Sequence, residues 1–164
     1  MNRLIQFHLE HSAELEEFGG FEIPIRYGSR FKQEIQTMLR GAGIYDVSSM
    51  MTIQVKGPDA ETFLQGMMSN DVKTLKIGKF QPHFICASRG KIEHRIEMIR
   101  YDEETYWICC AVGEGIDVGR KLDQFHILED LELSVLNSKM IRIDLIGPKS
   151  ENILKQLGWV LGVL

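Results

Sequence analysis

Ile53-Gln54-Val55-Lys56-Gly57-Pro58-Asp59-Ala60-Glu61-Thr62-Phe63-Leu64 is the stretch on which the reading of the fold turns. Ile53 and Val55 alternate with Gln54 and Lys56, the period of a strand buried on one face. Gly57-Pro58-Asp59 breaks that period. Beyond it the apolar positions return at helical spacing, so Phe63, Leu64, Met67 and Met68 share the side that would face a sheet. The design recurs at Ile143-Asp144-Leu145-Ile146-Gly147-Pro148-Lys149-Ser150-Glu151-Asn152-Ile153-Leu154. In each copy glycine permits the tight exit from the strand, and proline presets φ at the first helical turn, where its missing N–H has no partner to lose. Two such units predict two related subdomains.

Working downstream, a polar connection through Asn70, Asp71 and Gly78 leads to strands at Phe80–Ala87, Lys91–Tyr101 and Thr105–Ala111, with turns at Arg89-Gly90 and Asp102-Glu103-Glu104. A helix over Gly115–His126 and a strand over Leu131–Leu136 complete the order strand, helix, strands, helix, strand. That order predicts an α+β protein, with a ferredoxin-like antiparallel sheet carrying its helices on one face and part of a second related α+β subdomain. Upstream, Leu4, Ile5, Leu9 and Leu15 predict one or two turns of helix within Asn2–Glu17, ended by Phe18-Gly19-Gly20. Pro24 restricts Phe21–Tyr27 to an edge or irregular strand. Ser29 is placed to cap a helix through Arg40, with Gly41 to Gly43 as its exit. The expected organisation is residues 1–50 in a first subdomain, 51–138 as the ferredoxin-like unit, and 139–164 as the start of a return into the first, with Trp159–Leu164 an apolar, unfinished ending.

The 164 residues are 44% apolar and 26% charged, with a net charge of -4, which suits an ordinary globular protein. No basic run is interleaved with aromatics, so nucleic acid is not an expected partner. No stretch approaches the ~18 to 20 apolar residues that span a bilayer, and the N-terminus lacks the apolar core of a secretory signal, so a cytoplasmic location is expected, away from membranes. Cys109 and Cys110 are adjacent on a predicted strand and point to opposite faces, so the three cysteines are read as buried, reduced thiols. His8 and His11 share a helical face but lack a third ligand, and a surface or capping role is preferred to metal; no metal site is expected. The pairs Met50-Met51 and Met67-Met68 read as core filling. No phosphate loop or nucleophile elbow is present.

Longer motifs carry more. His8-Leu9-Glu10-His11, Phe18-Gly19-Gly20-Phe21-Glu22-Ile23-Pro24-Ile25-Arg26-Tyr27-Gly28-Ser29 and Ala42-Gly43-Ile44-Tyr45-Asp46-Val47-Ser48-Ser49-Met50 closely resemble the opening of the glycine-cleavage T-protein (aminomethyltransferase) family, in the same order and at matching intervals. The resemblance continues through Val55–Ala60, Asn70-Asp71-Val72, the Gly90 turn and Leu145–Pro148, and so covers the N-terminal half of that family's GcvT-like folate-binding fold. The long N-terminal block favours the T-protein branch over the shorter folate-dependent iron–sulfur assembly factors, which stand as the alternative.

The resemblance implies tetrahydrofolate as cofactor and transfer of a one-carbon unit from an aminomethyl-loaded lipoyl carrier, with a carboxylate near the pterin. The family's paired aspartates after the glycine turn correspond here to His94 and Arg95, the nearest acid being Glu93. A guanidinium stays protonated at any working pH and cannot serve as a general base. The resemblance thus implies that the family's acid position is held by Arg95, which is not expected to be catalytic; His94 is the remaining candidate acid–base group, with a surface or structural role preferred for it. Glu93, one residue removed, is expected on the opposite strand face. Met50, Asn70, Pro82, His83 and Ala111 fall at or beside positions the resemblance implies for the cofactor. Ser49 replaces the usual histidine, Pro82 a common aromatic and Ala111 an asparagine. A second chain or a homo-oligomer is the expected means of completing the pocket.

Overall fold

A computed structural model describes residues 4–137 and 139–158. In chain order the elements are α1 (Ile5–Glu10), β1 (Ala13–Phe18), β2 (Phe21–Tyr27), α2 (Phe31–Arg40), β3 (Gly43–Asp46), β4 (Thr52–Lys56), α3 (Ala60–Met67), a 3-10 turn (Val72–Thr74), β5 (Phe80–Cys86), β6 (Ile92–Arg100), β7 (Thr105–Cys110), α4 (Gly115–Phe125), β8 (Glu132–Val135), β9 (Ile143–Ile146) and α5 (Ser150–Gln156). They form two compact units, one of residues 50–139 and one of residues 1–49 with 140–164. The expected apolar ending at Trp159–Leu164 lies outside the described residues, as does Asn2.

In the unit of residues 50–139, five strands form an antiparallel sheet in the order β5-β6-β7-β4-β8. Ile53 and Val55 of β4, Ile85 of β5, Ile96 and Met98 of β6, and Tyr106, Ile108 and Cys110 of β7 form one buried cluster with Ala60, Phe63 and Leu64 of α3 and Val118 and Leu122 of α4. Because side chains alternate along a strand, this puts both helices on one face of the sheet, the ferredoxin-like layering. Full burial of each aliphatic or aromatic side chain contributes about 1.5–3 kcal/mol, so this cluster is the main stabilising element of the unit.

β5 is an edge strand and accepts Pro82, whose nitrogen cannot donate to a ladder. Its outer edge is covered by the chain leaving α3: Met68 bridges Ile85, Ser69 N–H donates to Phe84 O at 3.1 Å, and Phe84 N–H donates to Ser69 Oγ at 2.8 Å. Opposite, the pairing runs Ile85 with His94 and then Cys86 with Ile92, leaving Glu93 in a bulge.

The two Gly-Pro turns adopt the predicted form with one adjustment. α3 begins at Ala60 behind Asp59, and α5 at Ser150 behind Lys149, so each proline precedes the cap instead of occupying the first helical turn. Gly57 has φ +154° and Gly147 φ +131°. A side chain at Gly57 would strike Asp130 O, and one at Gly147 would lie 2.5 Å from Gly41 O and Met38 O. Close backbone approach therefore demands glycine at both sites.

The other unit departs from expectation at its start. The helix stops at Glu10, Ser12 takes φ 62°, and Ala13–Phe18 pairs as a strand with β2. Gly19 and Gly20, at φ 58° and 81°, are the two-residue hairpin turn, not a helix terminus. Ala, Glu and Leu favour helix intrinsically, but the cross-strand partner overrides that preference, and Arg26 pairs with Glu14 at 2.6 Å. The Pro24 strand is two-stranded, edge and irregular, with a register shift opposite Glu14/Leu15. α2 starts after Arg30 without a side-chain cap, so Ser29 does not act as one; Glu34 Oε1 instead accepts from Tyr27 N–H at 3.2 Å. β3 begins at Gly43, the last residue of the expected helix exit, and pairs antiparallel with β9.

Candidate functional site

The register of the sheet assembles four residues in a row. Phe84 of β5 pairs with Arg95 of β6, and Ile96 pairs with Cys110 of β7, so the next step sets Arg95 beside Ala111. Thr52 pairs with Cys109, and Cys110 N–H donates to Met51 O at 2.9 Å, which sets Ala111 beside Met50. Phe84, Arg95, Ala111 and Met50 therefore cross one end of the sheet. Phe84 and Arg95 fall on the face opposite the helices, since Ile85 and Ile96 point into the core. The next row on this face is Pro82, Glu97, Cys109 and Thr52.

Phe84, Pro82, Arg95 and Ala111 are exposed and Met50 and Glu97 half-buried. Asn70 joins the group by donating from Nδ2 to Pro82 O at 2.6 Å, tying the loop after α3 to β5. Among the described residues Arg95 makes no hydrogen bond or ion pair. An apolar shelf beside an unpaired, permanently charged guanidinium suits a flat aromatic group bearing an anionic substituent. It offers no acid in the Arg95 row.

The remaining predicted residues lie on the helix side. His94 Nδ1 is 3.2 Å from Glu114 Oε2 at the start of α4. Glu93, displaced by the bulge, forms an ion pair with Lys121 of α4. His83, two residues from Ile85, is 1% exposed, with both ring nitrogens lacking a hydrogen-bond partner. Burial pushes its pKa below the ordinary imidazole value and holds it neutral. Placed on the core face, it is separated from Pro82 by strand alternation alone. Of the residues expected at the cofactor, Met50, Asn70, Pro82 and Ala111 gather with Arg95, whereas His83 does not, and the candidate acid–base residue His94 also lies on the other face.

Elsewhere, His8 was expected at the surface but is 3% exposed. Its Nε2 lies 2.8 Å from Asp46 Oδ2 and its Nδ1 2.7 Å from the Tyr27 hydroxyl. A carboxylate only accepts, so Nε2–H donates to Asp46, and in the neutral ring Nδ1 then accepts from Tyr27 O–H. Burial, Asp46 and Glu34 raise the Tyr27 pKa. Asp46 Oδ1 also accepts from Ser48 N–H at 2.9 Å, fixing the turn that leads toward Met50. The cysteines divide as well: Cys109 and Cys110 are buried, with the Cys110 thiol pushed up to about 12 mainly by burial, but Cys86 is exposed, against expectation.

Asn137, Glu97 and the pairing of His8 with Asp46 escaped the sequence reading. Asn137 brackets the entry to β4, donating from Nδ2 to Met50 O at 2.9 Å while its Oδ1 accepts from Thr52 N–H at 2.8 Å. Its partner lies 85 positions away, beyond any local pattern. Glu97 shares the Arg95 face, and alternation from Arg95 was a sufficient signal. His8 and Asp46 were both within quoted motifs, but only folding joins them. No helix among the described residues is long and apolar enough to cross a membrane.

Comparison with known proteins agrees with this architecture. The family model described as the GCVT N-terminal domain matches residues 4–159. An aminomethyltransferase of Symbiobacterium thermophilum is 32% identical over 160 residues, covering 94% of this chain and 42% of the relative, and one of Bacillus mycoides is 30% identical over 154 residues with the same coverage. The crystal structure of glycine cleavage system aminomethyltransferase T from Bartonella henselae has the same fold, with a TM-score of 0.90 at 24% identity, over 98% of this chain and 44% of that one. The chain thus spans less than half the length of these relatives. With a family model matched over nearly its whole length, this chain belongs to the GCVT N-terminal domain family.

Proposed function

We propose that this chain is a tetrahydrofolate-binding, aminomethyltransferase-like domain that holds the cofactor on the Phe84–Arg95–Ala111–Met50 face and does not carry out one-carbon transfer by itself. The observation that supports this reading is the position of Arg95 in the middle of that row, exposed and unpaired. Bound tetrahydrofolate would supply the acceptor nitrogen for a one-carbon unit. Pro82, Phe84 and Met50 offer apolar surface to its ring system, and Arg95 offers a bidentate donor fork to a carboxylate of its tail. The same guanidinium can neither take a proton nor favour positive charge developing beside it, and His94 and Glu93 are engaged with α4.

Isothermal titration of the chain with tetrahydrofolate, paired with an assay for methylene-tetrahydrofolate formed from an aminomethyl-loaded lipoyl carrier, tests the reading. Binding without product is the expected result. Turnover above background by this chain alone overturns the non-catalytic part, and absence of binding overturns the cofactor part. A second reading, a non-catalytic interaction module akin to the folate-dependent iron–sulfur assembly factors, draws on the same unpaired Arg95, which would then receive a carboxylate of a partner chain or of a second copy.

A further inference from the structure

Past the end of β8 a side chain carries on the ladder along β4. Thr52 O accepts from Leu136 N–H at 2.9 Å. The next two backbone groups on that side of β4 are Thr52 N–H and Met50 O, and one amide takes both: Asn137 Oδ1 accepts from Thr52 N–H at 2.8 Å, and Asn137 Nδ2 donates to Met50 O at 2.9 Å. Lys139 N–H donates to Leu136 O at 2.8 Å, a turn that sets Asn137 in place. On the opposite edge Met51 O accepts from Cys110 N–H at 2.9 Å. Met51 packs against the core cluster, and a carbon added to Gly115 of α4 would strike its Cβ, so the glycine leaves room for that side chain. With Met51 committed to the helix side, strand alternation turns Met50 to the face of Arg95.

The clasp needs an amide. Met50 O can only accept and Thr52 N–H can only donate, so the group that bridges them must offer a donor and an acceptor side by side. Methionine itself is flexible, with three rotatable bonds and a polarizable thioether, and its placement on a flat ring depends on the main chain beneath it being fixed. A backbone already fixed before the ligand arrives spares the complex the cost of ordering it. We propose that Asn137 is a positioning residue of the ligand face, holding the Met50 main chain so that the thioether lies against the flat heterocycle of a bound folate. The proposal rests on the reading of this face as the tetrahydrofolate face. Asn137 touches no ligand in this scheme and acts through Met50 alone.

The test is a double-mutant cycle on the full chain, with 5-formyltetrahydrofolate as the probe and calorimetric titration as the readout. Asn137→Ala and Met50→Ala are each expected to weaken binding by about 10-fold, and the double variant by no more than either alone, because both changes remove the same contact. A merely structural role for Asn137 would lower the melting temperature but leave the two losses of affinity to multiply. Asn137→Asp has the same shape and keeps the acceptor for Thr52 N–H, but sets a second acceptor against Met50 O. It is expected to bind as weakly as Asn137→Ala, and it carries the cycle if the alanine variant melts below the assay temperature. Losses that multiply, or a folded Asn137 variant or Met50→Ala that binds within about 2-fold of the wild type, overturn the proposal while the folate reading stands. If the wild type does not bind the probe, the folate reading falls and the proposal with it.

Discussion

His8 Nε2 and Asp46 Oδ2 lie 2.8 Å apart, both side chains 3% exposed, joining α1 to the end of β3 across 38 residues of sequence. Tyr27 closes the group from β2, so three elements of one unit meet on a single imidazole. Removing one member of a buried polar pair strands the other. His8→Ala is expected to lower unfolding stability by about 3 kcal/mol, and Asp46→Asn, which keeps the shape and one acceptor, by about half as much. Chemical denaturation of both single variants and the double variant measures this. Equal and additive losses would show that the pair is not coupled.

His83 makes the protein's stability depend on pH. Burial lowers its folded pKa below the unfolded value of 6.5, so the unfolded chain binds more protons in that range and stability rises with pH. The contribution is complete above the unfolded value, falls as pH drops through 6.5, and levels off below the depressed folded value. His83→Leu removes two unsatisfied buried nitrogens and is expected to flatten this slope and raise the melting temperature at pH 6. Melting curves from pH 5 to pH 8 decide the matter, and an unchanged slope in the variant would assign it to other groups.

Gly57 and Gly147 are the positions where the strand-turn-helix units tolerate no side chain. Gly57→Ala and Gly147→Ala each combine positive φ with a clash against backbone, and each is expected to cost about 2–4 kcal/mol. Gly78→Ala, at φ +76° with open space around the added carbon, carries only the conformational part and is expected to cost about 1 kcal/mol. Urea titrations rank the three.

Arg95→Leu is expected to shift stability by less than about 0.5 kcal/mol, since the side chain is exposed and makes no hydrogen bond or ion pair among the described residues. A larger loss would mean that the guanidinium serves the fold instead of a ligand.

Thiol labelling separates the cysteines. Cys86 is exposed, whereas the Cys110 thiol is held near 12, where almost no thiolate exists at neutral pH. A maleimide is expected to modify one cysteine in the native chain and all three after denaturation. Mass spectrometry after a short exposure reads the difference.

Periodicity alone determined the five-stranded unit: the alternation of Ile53 with Val55, of Ile96 with Met98, and the helical spacing of Phe63 and Leu64 each record which side meets the core, and that record is local. The glycines of the two Gly-Pro turns were equally legible, because close approach leaves no other residue. The likeness to the aminomethyltransferases was written in contiguous motifs, and from them Arg95 was expected at the family's acid position. Tertiary structure decided what depends on distant partners. Ala13–Phe18 has a helix-favouring composition and became a strand only because β2 was there to pair with it. His8 became a buried ligand of Asp46, and Asn137 a clasp at Met50, across separations that no window of sequence spans. The bulge at Glu93 turned one predicted acid toward α4, while Glu97 kept to the face of Arg95. Side-chain direction follows from strand register, and register is fixed by the neighbouring strand.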